Sequence, residues 1–316
     1  MLNAEIDKYM NKILECSENT KEKYGENSPT YIKKILYAIY ANHTYLQAVY
    51  ENQIVDALKG NDFATLKSVF YHAAKVKLLP CSSSGCDHCN RLWPLLDLLS
   101  CTEIDNIYRI LPKELPLSSN GYAMNVNGIN ILLCLLYNNE DNAPYAKDKV
   151  TAKAEKYAKS KQPMWERSVI SCLLAIMEHD VSGLSKNLQN VCESYNKMNI
   201  AAYMKIQCQN AYGLLILAKH IFSEQEFNSI TLPEYKNFSK DYIEWFFHQN
   251  KLSDELCIKY EAPLEKVNDI LKKPVAITRI YQPYINSDNA YLTSSEKKAW
   301  YMDTDTMMDE FLDIIE

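Results

Sequence analysis

Glycine and arginine are scarce in this sequence. Only seven glycines interrupt 316 residues, and between them the apolar residues recur at steps of three and four, the helical period and not the alternation of strands. Only four arginines, Arg91, Arg109, Arg167 and Arg279, are available for bidentate contacts to phosphates or base edges, and the net charge is −6. Both features argue against a nucleic-acid-binding surface. Long apolar runs are lacking too. The longest candidate, Ile129 to Tyr137, is far shorter than the roughly 18 residues a membrane span needs. The opening MLNAEIDKYMNKILE alternates charge with apolar residues and has no uninterrupted secretory core. The sequence therefore predicts a cytoplasmic chain with no membrane partner.

What is present suffices for a folded core: 47% hydrophobic and 23% charged residues exclude global disorder. The ten cysteines mostly stand singly in apolar helical runs, as Cys134 does in LLCLL and Cys172 in ISCLLAI. There a thiol behaves as a small hydrophobe, and the usage points to a reducing compartment and not to a disulfide framework. The excess of lysine over arginine, with many Asn, Ile and Tyr, is the signature of an AT-rich genome.

Ser28-Pro29 reads as a cap with proline in the first turn, and Ile32, Ile35, Ile39, Leu46, Val49, Ile54 and Ala57 keep one face until Gly60. Asp62 caps the next run, so residues 29–59 and 62–77 read as an antiparallel hairpin. A second hairpin opens at Pro163, runs through Met177 and resumes after the Asp180 cap. Its ALKGNDFATL counterpart, Ala57 to Leu66, can be laid over AIMEHDVSGL, Ala175 to Leu184, which suggests an internal duplication or simply the needs of any tight helical turn. A long helix from Ile200 to Phe222 should be central, with Gly213 allowing a close crossing. Further helices are expected near 3–17, 102–111 with Thr102 as cap, 126–138, 145–159, 238–249, 254–272 and 305–315. Pro112 to Asn125 and Lys273 to Thr293 resist a helical reading and are expected to be loops. The predicted fold is all-α, a repeat-like, TPR-like superhelical array of stacked antiparallel hairpins. It forms a single elongated domain over 1–316, with possible halves 1–111 and 126–316 joined by the loop 112–125.

The sharpest local pattern is Cys81-SSSG-Cys86-DH-Cys89 with His88 between two cysteines. Zinc needs four ligands, and His88 is awkwardly placed to join the three thiols. The spacing also matches plant-type ferredoxins, but that fold is β-rich and these surroundings are not. A solvent-exposed loop with free thiols is expected, with no metal and no cofactor; a structural zinc on Cys81, Cys86, Cys89 and His88 is the alternative. Glu178-His179-Asp180 reads as a capped turn, since Asp180 already serves the helix. No P-loop, dinucleotide fingerprint, nucleophile elbow or HExxH pattern is present, so no catalytic residue is assigned. The ending DTDTMMDEFLDIIE puts Met308, Phe311, Leu312 and Ile315 on one helical side. Its carboxylates Asp305, Asp309, Glu310 and Asp313 should then face outward, as a solvated face or as a strip that steers a basic partner.

From Met164 to Phe238 the segments MWERSVISCLLAIMEHDVSGLSKNL, NAYGLLILAKHI and LPEYKNF resemble the immunity-protein-49 family of bacterial polymorphic toxin systems. There a tryptophan-bearing helix, an acidic-capped turn and a long Gly/Leu/Ala helix follow in this order. The resemblance implies an α-helical antidote that binds a cognate toxin domain and blocks its active site or its substrate approach. It carries no catalytic residues and no contact residues to this chain. Two other readings stand beside it: a helical-repeat scaffold that holds a peptide or partner protein in a groove, and a structural-zinc protein or enzyme with an unrecognised site.

Overall fold

Local capping chemistry decides where several helices begin. In a computed structural model, which describes residues 2–26, 28–81, 87–138, 145–249 and 255–313, helix α1 covers Leu2–Tyr24 and α2 covers Pro29–Asn42. Ser28 accepts a hydrogen bond from the Tyr31 amide at 3.2 Å with Pro29 in the first turn, as the sequence predicts. The single helix expected over 29–59 is instead broken by a 3-10 turn at His43–Leu46 before α3, Gln47–Gly60. Asn42 Nδ2 donates to the Ala38 carbonyl at 2.8 Å and His43 Nδ1 meets the Tyr40 carbonyl at 2.5 Å. These side chains compete for the carbonyls that a continuing helix would use. Asp62 caps α4, Phe63–Lys77, through the Thr65 amide at 3.1 Å, and α3 packs on α4 as a hairpin.

Next come α5, Leu92–Leu99, preceded by a 3-10 turn at His88–Arg91, and α6, Asp105–Ile110. Thr102 does not cap α6; its hydroxyl donates to the Leu98 carbonyl at 3.0 Å and closes α5. The middle of the chain forms α7, Ala123–Tyr137, α8, Lys147–Ala158, α9, Met164–Met177, and α10, Val181–Tyr195. Asp180 accepts from the Gly183 amide at 2.8 Å. The turns before α4 and α10 match atom for atom: Asn61 and His179 both have positive φ, 51° and 55°. The Asp62 amide donates to Ala57 O and the Asp180 amide to Ala175 O, each at 2.8 Å. A left-handed residue followed by an aspartate cap is thus used twice.

The helix expected over 200–222 is split into α11, Ala202–Ile206, and α12, Gln209–Ile221. Gln207 is extended there, and the Cys208 amide donates to Asn237 O at 2.8 Å, while Asn237 Nδ2 donates to Cys192 O at 2.9 Å. A tertiary contact therefore takes the amide that would have continued the helix. Helices α13, Glu224–Asn228, and α14, Lys240–Phe247, follow. Of the helix expected at 254–272, only α15, Lys266–Lys272, forms among the described residues. Asn268 exchanges hydrogen bonds with the Tyr260 backbone and holds the preceding chain irregular. The last part holds β1, Ile280–Tyr281, α16, Ser294–Lys297, β2, Tyr301–Met302, and α17, Thr304–Asp313. The two strands pair antiparallel, Ile280 with Met302 and Tyr281 with Tyr301.

The core is one continuous cluster in which α5 is central, packed on α4, α7 and α12. Gly213 of α12 permits that crossing: a Cβ there would lie 2.2 Å from the Leu96 carbonyl oxygen. One ionic group is built into the same layer. Asp97 is fully buried, with Lys77 Nζ at 3.1 Å and Asn210 Nδ2 at 3.0 Å. Residues after 255 fold back over the first half, where Tyr71 donates to Leu271 O at 3.0 Å and α17 packs on α2. The segments before and after loop 112–125 therefore share one core. Among the described residues no helix is long and apolar enough to cross a membrane.

Candidate partner-binding surface

Helix α17 docks by the side that the sequence selects, with Met308, Phe311 and Leu312 buried and Met307 buried beside them, while Ile315 lies outside the described residues. Of the carboxylates expected to face outward, Asp305 and Asp309 are exposed and Glu310 is half-exposed, and cations from other elements meet two of them. Asp309 pairs with Lys33 of α2, and Glu310 Oε1 lies 3.3 Å from Arg279 Nε. Asp305 is exposed and lines a groove with Lys33, Lys34 and Tyr37. The side chain of Asp313 lies outside the described residues. The cations are distant in sequence, so the helical pattern of α17 carried no sign of them.

The segment between β1 and α17 has the opposite character. Among the described residues, four of the nine large hydrophobic side chains left exposed fall between 281 and 291: Tyr281, Tyr284, Ile285 and Tyr291, the last 96% exposed. Tyr284 is held edge-on to Tyr301, with ring centroids 5.7 Å apart, so the ribbon gives part of the segment a fixed frame. Base composition accounts for the abundance of tyrosines and not for this placement. Their signal was position: Pro283 and its polar neighbours provide no helical face that could bury them.

Beside this segment the two stretches that resist a helical reading meet. Pro112, Glu114 and Pro116 form one wall of a cleft of about 650 Å3, and Thr278, Arg279 and Trp300 form another. The walls are tied together by the Thr278 amide donating to Arg109 O at 2.9 Å and by Arg109 Nε donating to Val275 O at 2.7 Å. Thr278 Oγ1 is buried without a hydrogen-bond partner, which leaves an unmet polar atom in this wall.

The cysteine pattern is divided. Cys86 lies outside the described residues. Cys89 and His88 are fully buried, which corrects the expectation of a solvent-exposed loop at those two positions. Cys89 Sγ donates to the Asn120 carbonyl at 3.2 Å, and burial pushes the Cys81 thiol up to about 12. The neighbouring Asp87 carboxylate accepts from the Ser118 hydroxyl and the Cys89 amide. Among the described residues no three His, Cys, Asp or Glu side chains converge on a metal position. Metal ligation requires thiolates, and burial opposes that state at Cys81. Metal analysis of protein purified under reducing conditions should therefore return well under one zinc or iron per chain. Stoichiometric metal that disappears in Cys86→Ser would reverse this assignment.

A thiol–imidazole pair is also present, at Cys257 and His72, with Sγ 3.2 Å from Nδ1. His72 is fully buried, and burial holds its imidazole down to about 3 while it pushes the Cys257 thiol far up. The pair is neutral at pH 7, and Tyr50 and Tyr260 close around it at 3.4 and 3.3 Å. Glu178-His179-Asp180 is the capped turn that the sequence predicts, with His179 Nδ1 3.1 Å from Glu226 Oε1. Comparison of the chain with protein-family models, with curated proteins and with solved structures finds no match.

Proposed function

We propose that this chain is a protein-binding antidote that neutralises a cognate bacterial toxin domain by direct complex formation. The observation that supports it best is the exposed group Tyr281, Tyr284, Ile285 and Tyr291. Tyrosine gives large contact area at low entropic cost and is enriched where partner proteins dock, and a cluster of exposed apolar side chains on a polar surface marks such a site. Asp305 stands on the α17 side of the same C-terminal unit and would favour a basic partner. The toxin identity rests on the resemblance of residues 164–238 to the immunity-protein-49 family. The matching turns at Asp62 and Asp180 support the repeat-like part of the reading, and with it the scaffold alternative.

The test is co-expression with the product of the adjacent gene. Growth should be rescued and the two proteins should co-purify. The double variant Ile285→Ser, Tyr291→Ser should weaken the complex at least tenfold, a hot-spot effect of about 1.4 kcal/mol or more, and leave the unfolding midpoint unchanged. Asp305→Ser should slow association and reduce its salt dependence; unlike Asp309 and Glu310, it holds no cation of its own chain in an ion pair among the described residues. Absence of binding and of protection with every adjacent gene product defeats the antidote reading.

A further inference from the structure

A second concavity lies on another part of the molecule and has a different chemistry. A cleft of about 340 Å3 opens where the end of α2, the end of α4 and the start of α5 meet β2. Its apolar lining comes from Tyr40, Leu79, Pro94 and Met302, and its polar lining includes His43, Lys77 and Arg91. Arg91 is only 4% exposed. Its guanidinium makes one long hydrogen bond, from an Nη to the Leu78 carbonyl at 3.4 Å, and its Nε has no acceptor. No carboxylate among the described residues pairs with it, and burial alone lowers its pKa to about 10, so it stays charged at neutral pH.

A buried cation without a counter-ion is costly, because neither water nor an anion replaces the lost solvation. An arginine in this position faces that cost whenever the cleft is empty, and an incoming anion relieves it. The charge available sets the anion. Lys77 is balanced by Asp97 at 3.1 Å, and the His43 imidazole is depressed by burial, so Arg91 leaves the cleft with one net positive charge. One charge matches a carboxylate better than a phosphate dianion. The planar fork of the guanidinium fits a carboxylate in two parallel hydrogen bonds. The apolar walls then require that the carboxylate be attached to a small hydrophobic body.

We propose that this cleft is a binding site for a small amphipathic carboxylate, with Arg91 as the anion receptor and Tyr40, Leu79, Pro94 and Met302 enclosing the hydrophobic part. The site stands apart from the antidote reading and does not depend on it. His43 adds a proton linkage: its Nδ1 is occupied by the Tyr40 carbonyl at 2.5 Å, and an anion in the cleft favours protonation of the remaining nitrogen, so affinity should rise as the pH falls into the range where this imidazole, depressed by burial, takes up its proton.

The full-length protein should be titrated with benzoate, benzamide and inorganic phosphate by calorimetry, with the unfolding midpoint followed in parallel. Benzoate should bind one to one with a Kd on the order of millimolar, as its size dictates, and raise the midpoint. Benzamide, of the same shape and without charge, should bind at least tenfold more weakly. Arg91→Met should keep the fold, with a midpoint at or above that of the wild type because an unpaired buried charge is gone, and should lose benzoate binding at least tenfold. Met302→Trp, which fills the cleft from the β2 side and leaves the charges in place, should lose it as well; this variant decides the matter if Arg91→Met does not fold. Equal binding of benzoate and benzamide, preference for phosphate, or benzoate affinity unchanged in both variants overturns the proposal.

Discussion

Gly213→Ala should destabilise this protein by about 3 kcal/mol, although it replaces a residue poorly suited to a helix interior with the one best suited. Helix propensity alone would favour alanine by about 1 kcal/mol. The new Cβ, however, would stand 2.2 Å from the Leu96 carbonyl oxygen and 3.0 Å from its carbonyl carbon. Those are backbone atoms of α5, which has α4 and α7 packed on it and cannot yield by turning a side chain. To restore ordinary contact the helix pair would have to separate by more than an ångström along a crossing lined by Leu92, Leu95, Leu96 and Leu99, all buried. Overpacking of a core costs about 1–3 kcal/mol where side chains can adjust; a backbone clash between two central helices belongs at or above the top of that range. Gly60→Ala provides the contrast. Nothing lies within 4 Å of its Cβ position, so the same substitution there should be neutral or stabilise by up to about 1 kcal/mol through the unfolded chain. Equal urea midpoints for the two variants would show that α5 and α12 do not cross closely.

The difference between these glycines also marks the limit of what the sequence reveals. Gly213 was legible as a crossing point because it interrupts an otherwise apolar helical run, and the caps Ser28, Asp62 and Asp180 were legible because a cap is a contact between residues three positions apart. Helix α5 was not read at all, although it is the centre of the core. LWPLLDLL is nearly uniformly apolar, so it shows no period, and Pro94 suggests a break when it in fact sits in the first turn, where a missing amide costs nothing. The splits at 43–46 and 207–208 depend on which carbonyl or amide a side chain or a distant segment captures, and no periodicity records that. The same holds for function. The apolar side of α17 was legible, whereas Lys33 and Arg279, which neutralise two of its carboxylates, come from elsewhere in the chain. Arg91 looks like any surface arginine until the 3-10 turn before α5 places it under Leu78. Binding surfaces made of one charge or one ring at a time are properties of the folded arrangement, and local sequence fixes only the elements that carry them.

Acid should unfold this protein earlier than its carboxylates alone would predict, because the fully buried His72 refuses a proton. In the unfolded chain His72 titrates near its ordinary 6.5, and in the fold burial holds it down to about 3. Its ring nitrogens face Cys257, Tyr50 and Tyr260, and Tyr260 continues to Tyr9 at 2.7 Å, a set of uncharged groups that offers the imidazolium no counter-ion. Between pH 6.5 and 3 the unfolded chain therefore binds a proton that the folded chain does not. Stability is complete above this window and falls as the pH is lowered through it, by about 1.4 kcal/mol per pH unit once the unfolded histidine is protonated. From pH 7.5 to 4.5 the contribution of His72 alone is roughly 2.7 kcal/mol, a large part of the 5–15 kcal/mol that holds an ordinary domain. Burial depresses His43 and His88 in the same direction and steepens the loss. His72→Gln keeps a polar side chain among the tyrosines and cannot titrate. It should be less stable than wild type at pH 7.5, from imperfect packing, yet lose roughly 2.7 kcal/mol less on acidification to pH 4.5. Urea unfolding of both proteins at the two pH values measures each term, and the variant's difference cancels the carboxylates that the two proteins share. If both lose stability equally, His72 takes up its proton in the folded state, and the buried cluster must admit either water or a charge that this arrangement of Tyr9, Tyr50, Cys257 and Tyr260 does not contain.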